Sequence, residues 1–295
     1  MRAIPARHPW RWVATAFVLL IVALILIGLS SNKNIEWHLV GHYFTDNEIL
    51  HGVLETLGLT ASAMAIGVVL GIILAMMRLS PVPVVSSVSW VYIWLFRGTP
   101  VLVQLLFWFN VGALLGTNPA VGIPFTHVIF FHLNPNTWIG AFTAAMLGFG
   151  LNEAAYMAEI VRAGFLSSRL QTMRHVVLPQ AMRVIVPPTG NETISMLKLT
   201  SIATVIATPE LANVIQRIYA RTFRPIPLLI VGSIWYLLMT TVLTIGQFYV
   251  ERRYARGALR TLPPTPLQRF RAMLTRNVMR ARPEPPLFPL GGEHK

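Results

Sequence analysis

Two short groups of polar side chains stand out because nearly everything around them is apolar. In the first, Asn152, Tyr156 and Glu159 recur at i, i+4 and i+7, which places them on one helical face, with Glu153 beside them. In the second, Asn191, Ser195 and Lys198 share a face, with Glu192 next to it. Carboxylate, amide, hydroxyl and ammonium groups inside apolar helices find no partner in acyl chains, so they are expected to bind a polar solute or to line a watery path. Catalysis is not expected of them, because no Ser/His/Asp order, zincin pair or Gly-rich phosphate loop accompanies them. His38 and His42 have the i, i+4 spacing of a metal pair but lack a carboxylate motif on a helix. They read as interfacial or solvated histidines, as do His127 and His132, and no metal site is expected.

Such groups need helices to hold them, and the composition points to membrane helices. The chain has 295 residues, 54% of them hydrophobic and only 12% charged, with a mean hydropathy of +0.59. An ordinary soluble domain carries about twice that charge. The net charge of +13 gathers at the two ends and in a central loop, which is the signature of membrane orientation and not a nucleic-acid footprint. The absence of cysteine excludes disulfides, thiolate metal sites and a cysteine nucleophile. Lysine occurs only at positions 33, 198 and 295, never in a phosphate-cradling loop, so the chain is not expected to hydrolyse ATP itself.

The expected architecture is an all-α polytopic membrane protein with about six transmembrane helices and both termini cytosolic. Residues 12–29 form an uncharged run behind Arg2, Arg7 and Arg11, which reads as a retained signal-anchor. Residues 56–77 form the second span, and Ala63, Gly67 and Gly71 put small side chains on one face for close approach of another helix. The third begins before Arg97 and is interrupted at Gly98-Thr99-Pro100 before continuing through residues 101–115. Residues 116–136, rich in Pro, Asn and Gly, read as an outer loop. The fourth span is residues 137–161. The fifth begins after Pro187-Pro188, which suit a first turn better than a helix interior, and runs to about position 208. Arg217, Arg221 and Arg224 then fall on the outer side against the positive-inside rule. Residues 225–250 make the last span, and a basic, disordered tail is expected from 254 to 295. The domains are thus an anchor and outer loop at 1–51, a transmembrane domain at 52–253 with a central cytosolic loop at 162–186, and the tail.

Four segments in order resemble the permease subunits of ATP-driven amino-acid importers: Arg97-Gly-Thr-Pro100, Ala154-Ala-Tyr-Met-Ala-Glu-Ile-Val-Arg-Ala-Gly164, the stretch from Leu178-Pro179 through Asn191-Glu192 to Lys198, and Arg221-Thr-Phe-Arg-Pro225. The likeness reaches from about Gly52 to Arg253. In that family a cytosolic loop carries Glu-Ala-Ala with a Gly four positions after the second Ala and ends at a Leu-Pro. Counting back from Leu178-Pro179 puts Ile160 where the Glu should be and Leu166 where the Gly should be. The Glu153-Ala154-Ala155 triplet belongs to the preceding helix, so the first half of the loop is missing. Leu199 also stands where the family usually has a polar or acidic residue.

The resemblance implies a type I ABC importer permease-like bundle in the bacterial inner membrane. It implies cytosolic ATPase subunits, a second permease chain (identical or homologous), an outer solute-binding protein, the lipid bilayer as surroundings and no nucleic acid. No cofactor is expected on this chain, since ATP belongs to the partner. The implied substrates are polar or charged amino acids or opine-like compounds, with Asn152, Glu153, Tyr156, Glu192, Ser195 and Lys198 lining the path. Arg97 and Lys198 could attract a carboxylate, and Glu153 and Glu159 a cation. Ser168, Arg169, Gln171, Thr172, Arg174, Leu178 and Pro179 form what remains of the ATPase-docking loop, and the gap in it implies impaired coupling. The alternative expectation is a non-transporting, degenerate permease acting as a membrane scaffold.

Overall fold

A long helix capped by an aspartate anchors the fold. In the computed structural model, which describes residues 9–115, 120–122, 129–132, 139–167 and 178–255, helix α3 spans Asn47–Arg78. It is preceded by α1, Pro9–Ser31, and the short α2, Trp37–Phe44. The sequence suggests a start near residue 56, but the helix begins about two and a half turns earlier, at Asn47. Asp46 accepts a hydrogen bond from the Glu48 amide at 2.8 Å and thereby satisfies one of the orphan donors of the first turn. The following elements are α4 (Pro83–Gly98), α5 (Val101–Phe109), α6 (Val111–Leu115), α7 (Ala141–Ser167), α8 (Leu178–Leu199), a 3-10 segment (Thr200–Ile206), α9 (Leu211–Thr222) and α10 (Pro225–Ala255).

The small face of α3 seats α7. A Cβ on Gly67 would lie 2.7 Å from Glu153 Cβ, and one on Gly71 would lie 2.5 Å from Met157 Cβ. Because positions 67 and 71 meet 153 and 157 in the same order, the two helices run parallel, and the intervening α4–α5 carries the chain back. Their interface buries Leu59, Ala63, Met64, Ala144, Ala145 and Phe149 in one cluster. Replacing Gly67 by leucine is therefore expected to cost about 1–3 kcal/mol or more by overpacking. Leucine at Gly58, where an added Cβ meets nothing within 4 Å, is expected to be tolerated. Thermal midpoints of the two variants in detergent check both outcomes.

Among the described residues three helices, α1, α3 and α10, are each long and apolar enough to cross a membrane, and up to five crossings result if each bent pair counts as one. The remaining expected crossing corresponds to α7, 27 residues long, whose Asn152, Glu153 and Glu159 make it less apolar. The break at Gly98-Thr99-Pro100 is sharp, with α4 and α5 bent by 102°. Helix α7 runs on to Ser167, past the expected end at 161.

The expectation for the prolines fails. Pro187 and Pro188 lie inside α8, which already starts at Leu178. Each removes an amide and crowds the carbonyl four residues back. The carbonyls four residues back belong to Arg183 and Val184, both exposed near the start of the helix. Farther along, Thr189 Oγ1 donates to the Ile185 carbonyl at 2.8 Å and Gln247 Nε2 to the Pro187 carbonyl at 3.3 Å, so α10 braces the distorted turn. Beyond α8 the chain tightens into the 3-10 segment and bends by 47° into α9.

The stretch read as an irregular outer loop contains a two-stranded antiparallel ladder, β1 (Ala120–Gly122) with β2 (Ile129–His132), pairing Ala120 with His132 and Val121 with Phe131. His127, residues 168–177 and the tail from 256 lie outside the described residues. Of the three arginines expected on the outer side, two are paired with acidic residues that precede them in the chain. Arg221 pairs with Glu48 at 3.0 Å and Arg224 with Glu36, while Arg217 shares a cavity with Glu48 and Glu55.

Candidate functional site

The α4–α5 break creates the site by stranding backbone carbonyls. A helix end packed against other apolar helices must find donors for the carbonyls it leaves over. Here Gln104 Nε2 donates to the Phe96 carbonyl at 2.9 Å, the Thr99 carbonyl at 3.2 Å and Thr99 Oγ1 at 2.7 Å. Asn152 Nδ2, from α7, donates to the same Phe96 carbonyl at 2.9 Å. One helix turn away, Tyr92 Oη donates to the Leu151 carbonyl at 2.9 Å and its ring stacks on Phe96 at 4.4 Å. The break is thus riveted to α7 and holds the Arg97-Gly-Thr-Pro segment in place.

Beside the break lies a cavity of about 490 Å³. It is lined by Arg97, Gly98, Thr99, Pro100 and Val101 from the break, by Asn152, Glu153 and Tyr156 from α7, and by Glu192, Ser195, Met196 and Leu199 from α8. Five of the six residues singled out from the sequence as a solute path therefore come together. Lys198 does not: its side chain is exposed and lies outside the lining. The lining face of α8 is Glu192, Ser195, Met196 and Leu199, rotated by one residue, about 100°, from the Asn191, Ser195 and Lys198 face. Asn191 instead accepts a hydrogen bond from Gln247 Nε2 at 3.0 Å.

The polar groups of the cavity differ in how far they are committed. The Asn152 amide is used on the Phe96 carbonyl, so it shapes the wall. Arg97 lies over the Tyr156 ring, 5.1 Å from its centroid, an arrangement that holds a guanidinium without using up its hydrogen-bond donors. Glu153 is 3% exposed, and its Oε1 is buried without a hydrogen-bond partner among the described residues. A buried acceptor in that condition is costly to leave unfilled. Two carboxylates and one guanidinium around a single cavity suit a molecule that carries both cationic and carboxylate groups.

On the other side of Arg97 and Tyr156 a second cavity, about 540 Å³, is lined by Arg78, Trp90, Ile93, Trp94 and Glu159. Glu159 is paired there with Arg162 at 2.6 Å. Of the docking-loop residues, Ser168, Arg169, Gln171, Thr172 and Arg174 lie outside the described residues, while Leu178 and Pro179 open α8. Among the described residues no group of three His, Cys, Asp or Glu side chains could hold a metal ion. Two roles were missed in the sequence. Gln104 gives no signal there, since a glutamine in an apolar helix identifies no partner. Glu210 follows the expected end of the fifth span with nothing in the sequence to mark a role, yet it is wholly buried at the N-cap of α9. Its carboxylate accepts from Thr204 Oγ1, the Ala212 and Asn213 amides and Tyr236 Oη, all at 2.8–2.9 Å.

The family described as "Binding-protein-dependent transport system inner membrane component" matches residues 67–256. The arginine transport system permease protein ArgU of Corynebacterium glutamicum is 43% identical over 279 residues, covering 89% of this chain and 85% of its own. The L-cystine transport system permease protein TcyB of Bacillus subtilis is 32% identical over 248 residues, covering 78% and 96%. Among solved structures, an amino acid ABC transporter crystallised with histidines superposes with a TM-score of 0.57 at 33% identity, covering 70% of this chain and 94% of that one. With this match lying over the broken helix, the cavity and α10, the chain belongs to the inner-membrane components of binding-protein-dependent transport systems and is a multi-pass permease subunit of an amino acid ABC importer.

Proposed function

We propose that the cavity beside the α4–α5 break is the passage for a cationic amino acid of the arginine type. The observation that carries this reading is the pair of carboxylates, Glu153 and Glu192, facing the same space as Arg97. A substrate guanidinium or ammonium would satisfy the unpartnered Glu153 Oε1, and its α-carboxylate would be met by Arg97. The name of the relative at 43% identity, an arginine transport system permease, favours the same class. The test is uptake into proteoliposomes by this chain with its ATPase and solute-binding partners. Labelled L-arginine is expected to accumulate and to be displaced by other cationic amino acids but not by a neutral one. Equal uptake of a neutral amino acid would overturn the cationic assignment.

The proposed topology has six crossings, with α7 as the fourth and the ends of α3, α7 and α10 at the cytosolic face, where Arg78, Arg252 and Arg253 lie. Permeases of this family work with ATPase and solute-binding partners, and a second permease chain, identical or homologous, completes the proposed assembly. ATP biases a permease only through contacts that differ between its inward and outward states. The central loop, with Ser168, Arg169, Gln171, Thr172 and Arg174, would make them, and its missing Glu-Ala-Ala half is proposed to weaken coupling. Restoring that half is expected to raise ATP-driven uptake on the order of tenfold, the effect of about 1.4 kcal/mol of added coupling energy. Equal rates for the two versions would refute the weakening. Absence of uptake from both, with the ATPase failing to co-purify, would favour the scaffold reading.

A further inference from the structure

The cavity on the far side of Arg97 and Tyr156 shares three residues with the proposed passage: Arg97, Gly98 and Tyr156 line both spaces. One face of α4 supplies Trp90, Trp94 and Arg97 to it, at i, i+4 and i+7. Tyr156 and Glu159 come from one face of α7, and Arg78 from the last turn of α3. At about 540 Å³ the space falls within the roughly 300–1,000 Å³ of small-molecule sites.

Its polar groups are held in place without being used up. Arg78 Nη1 donates to Ser86 Oγ at 2.8 Å, which fixes the guanidinium and leaves its other N–H groups to donate elsewhere. Both bonds from Arg162 to Glu159, at 3.1 and 2.6 Å, end on Oε2, so Oε1 is left for another donor. The exposed rings of Trp90 and Trp94 stack with centroids 6.3 Å apart, and an indole face attracts a guanidinium or ammonium. Anchoring at the membrane interface would explain two exposed tryptophans. It does not explain a carboxylate and two guanidinium groups gathered around the same space.

We propose that this cavity is a second binding site for the transported amino acid, filled from the first by a pivot about Arg97. The inference rests on the cationic passage proposed above and adds a second position to it. Because Arg97 faces both spaces, the α-carboxylate stays on its guanidinium while the rest of the molecule moves. The cationic end leaves Glu153 and Glu192 for Glu159 and the tryptophan rings, and Arg78 offers the carboxylate further donors. One shared guanidinium also means that a single molecule occupies one position or the other. The second site therefore takes the same class of ligand, an amino acid with a guanidinium or ammonium side chain.

Photolabelling separates the two positions. The full-length chain, assembled with its ATPase and solute-binding partners in proteoliposomes, is irradiated with an L-lysine analogue carrying a diazirine in its side chain. Adducts, mapped by mass spectrometry, are expected on Met196 or Leu199 in the first cavity and on Trp90 or Ile93 in the second, all suppressed by excess L-arginine. Trp94→Leu and Glu159→Gln change residues that line only the second cavity. Each is expected to cut the second-cavity adducts at least fivefold and to leave those on Met196 unchanged. Both side chains are at least partly exposed, so the thermal midpoints are expected to stay close to wild type. Adducts confined to the first cavity would overturn the second site and leave the cationic passage standing. Second-cavity adducts that neither substitution reduces would do the same. Adducts in neither cavity would overturn the passage and the second site together. Equal second-cavity labelling by a diazirine analogue of L-leucine would overturn the cationic class.

Discussion

Alanine at Glu210 is expected to leave almost no folded permease to purify. The carboxylate is fully buried and accepts four hydrogen bonds, from the Thr204 hydroxyl, the Ala212 and Asn213 amides and the Tyr236 hydroxyl. Truncation strands all four donors at once, at about 1–3 kcal/mol each. The sum is comparable with the roughly 5–15 kcal/mol by which a typical folded domain is stable. Glutamine is expected to cost far less. Its oxygen can keep Thr204 and the Asn213 amide, and its amide nitrogen can donate to the Tyr236 oxygen, so only the Ala212 amide is left over. Yield and melting temperature after detergent extraction check the order, with wild type above glutamine and glutamine above alanine. Alanine equal to glutamine would mean that the hydrogen bonds around Glu210 do not hold the α8–α9 bend.

The second large effect falls on transport and not on folding. Glu153→Gln is expected to lower uptake of a cationic amino acid on the order of 10–100-fold, corresponding to the roughly 1.5–3 kcal/mol of a hydrogen bond to a charged group. Glutamine is nearly isosteric, so the packing of Glu153 against Gly67 is retained and the melting temperature is expected to stay within about one degree of wild type. Uptake by proteoliposomes with the ATPase and binding protein present checks this, with ATP hydrolysis measured in parallel. A fall in hydrolysis matching the fall in uptake would place the defect in coupling and not in the cavity. Undiminished uptake would remove Glu153 from the proposed passage.

Much of the fold was legible because membrane helices carry strong local signals. The uncharged runs that became α1 and α10 could be nothing else, and Gly98-Thr99-Pro100 had to interrupt a helix. The face of Ala63, Gly67 and Gly71 announced a close neighbour, though not that the neighbour would be Glu153 and Met157 on a parallel helix. Local rules misled where tertiary contacts compensated for a local cost. Pro187 and Pro188 lie inside α8, close to its start, and Gln247 of α10 holds the Pro187 carbonyl from outside the helix. Arg221 and Arg224, which the sequence placed on the outer side against the charge rule, are accommodated because Glu48 and Glu36, more than half the chain away in sequence, pair with them.

The sequence by itself determined that this chain crosses a membrane as helices and that α7 and α8 carry polar groups which must be hidden from lipid. Its family likeness was readable from short motifs. Helical periodicity says which side chains share a face, but the rotation of each helix about its axis is set by the neighbours it packs against. Only the tertiary structure therefore decided that Glu192 and not Lys198 meets Arg97, Tyr156 and Glu153 in one cavity, and that Glu210 holds the bend above it.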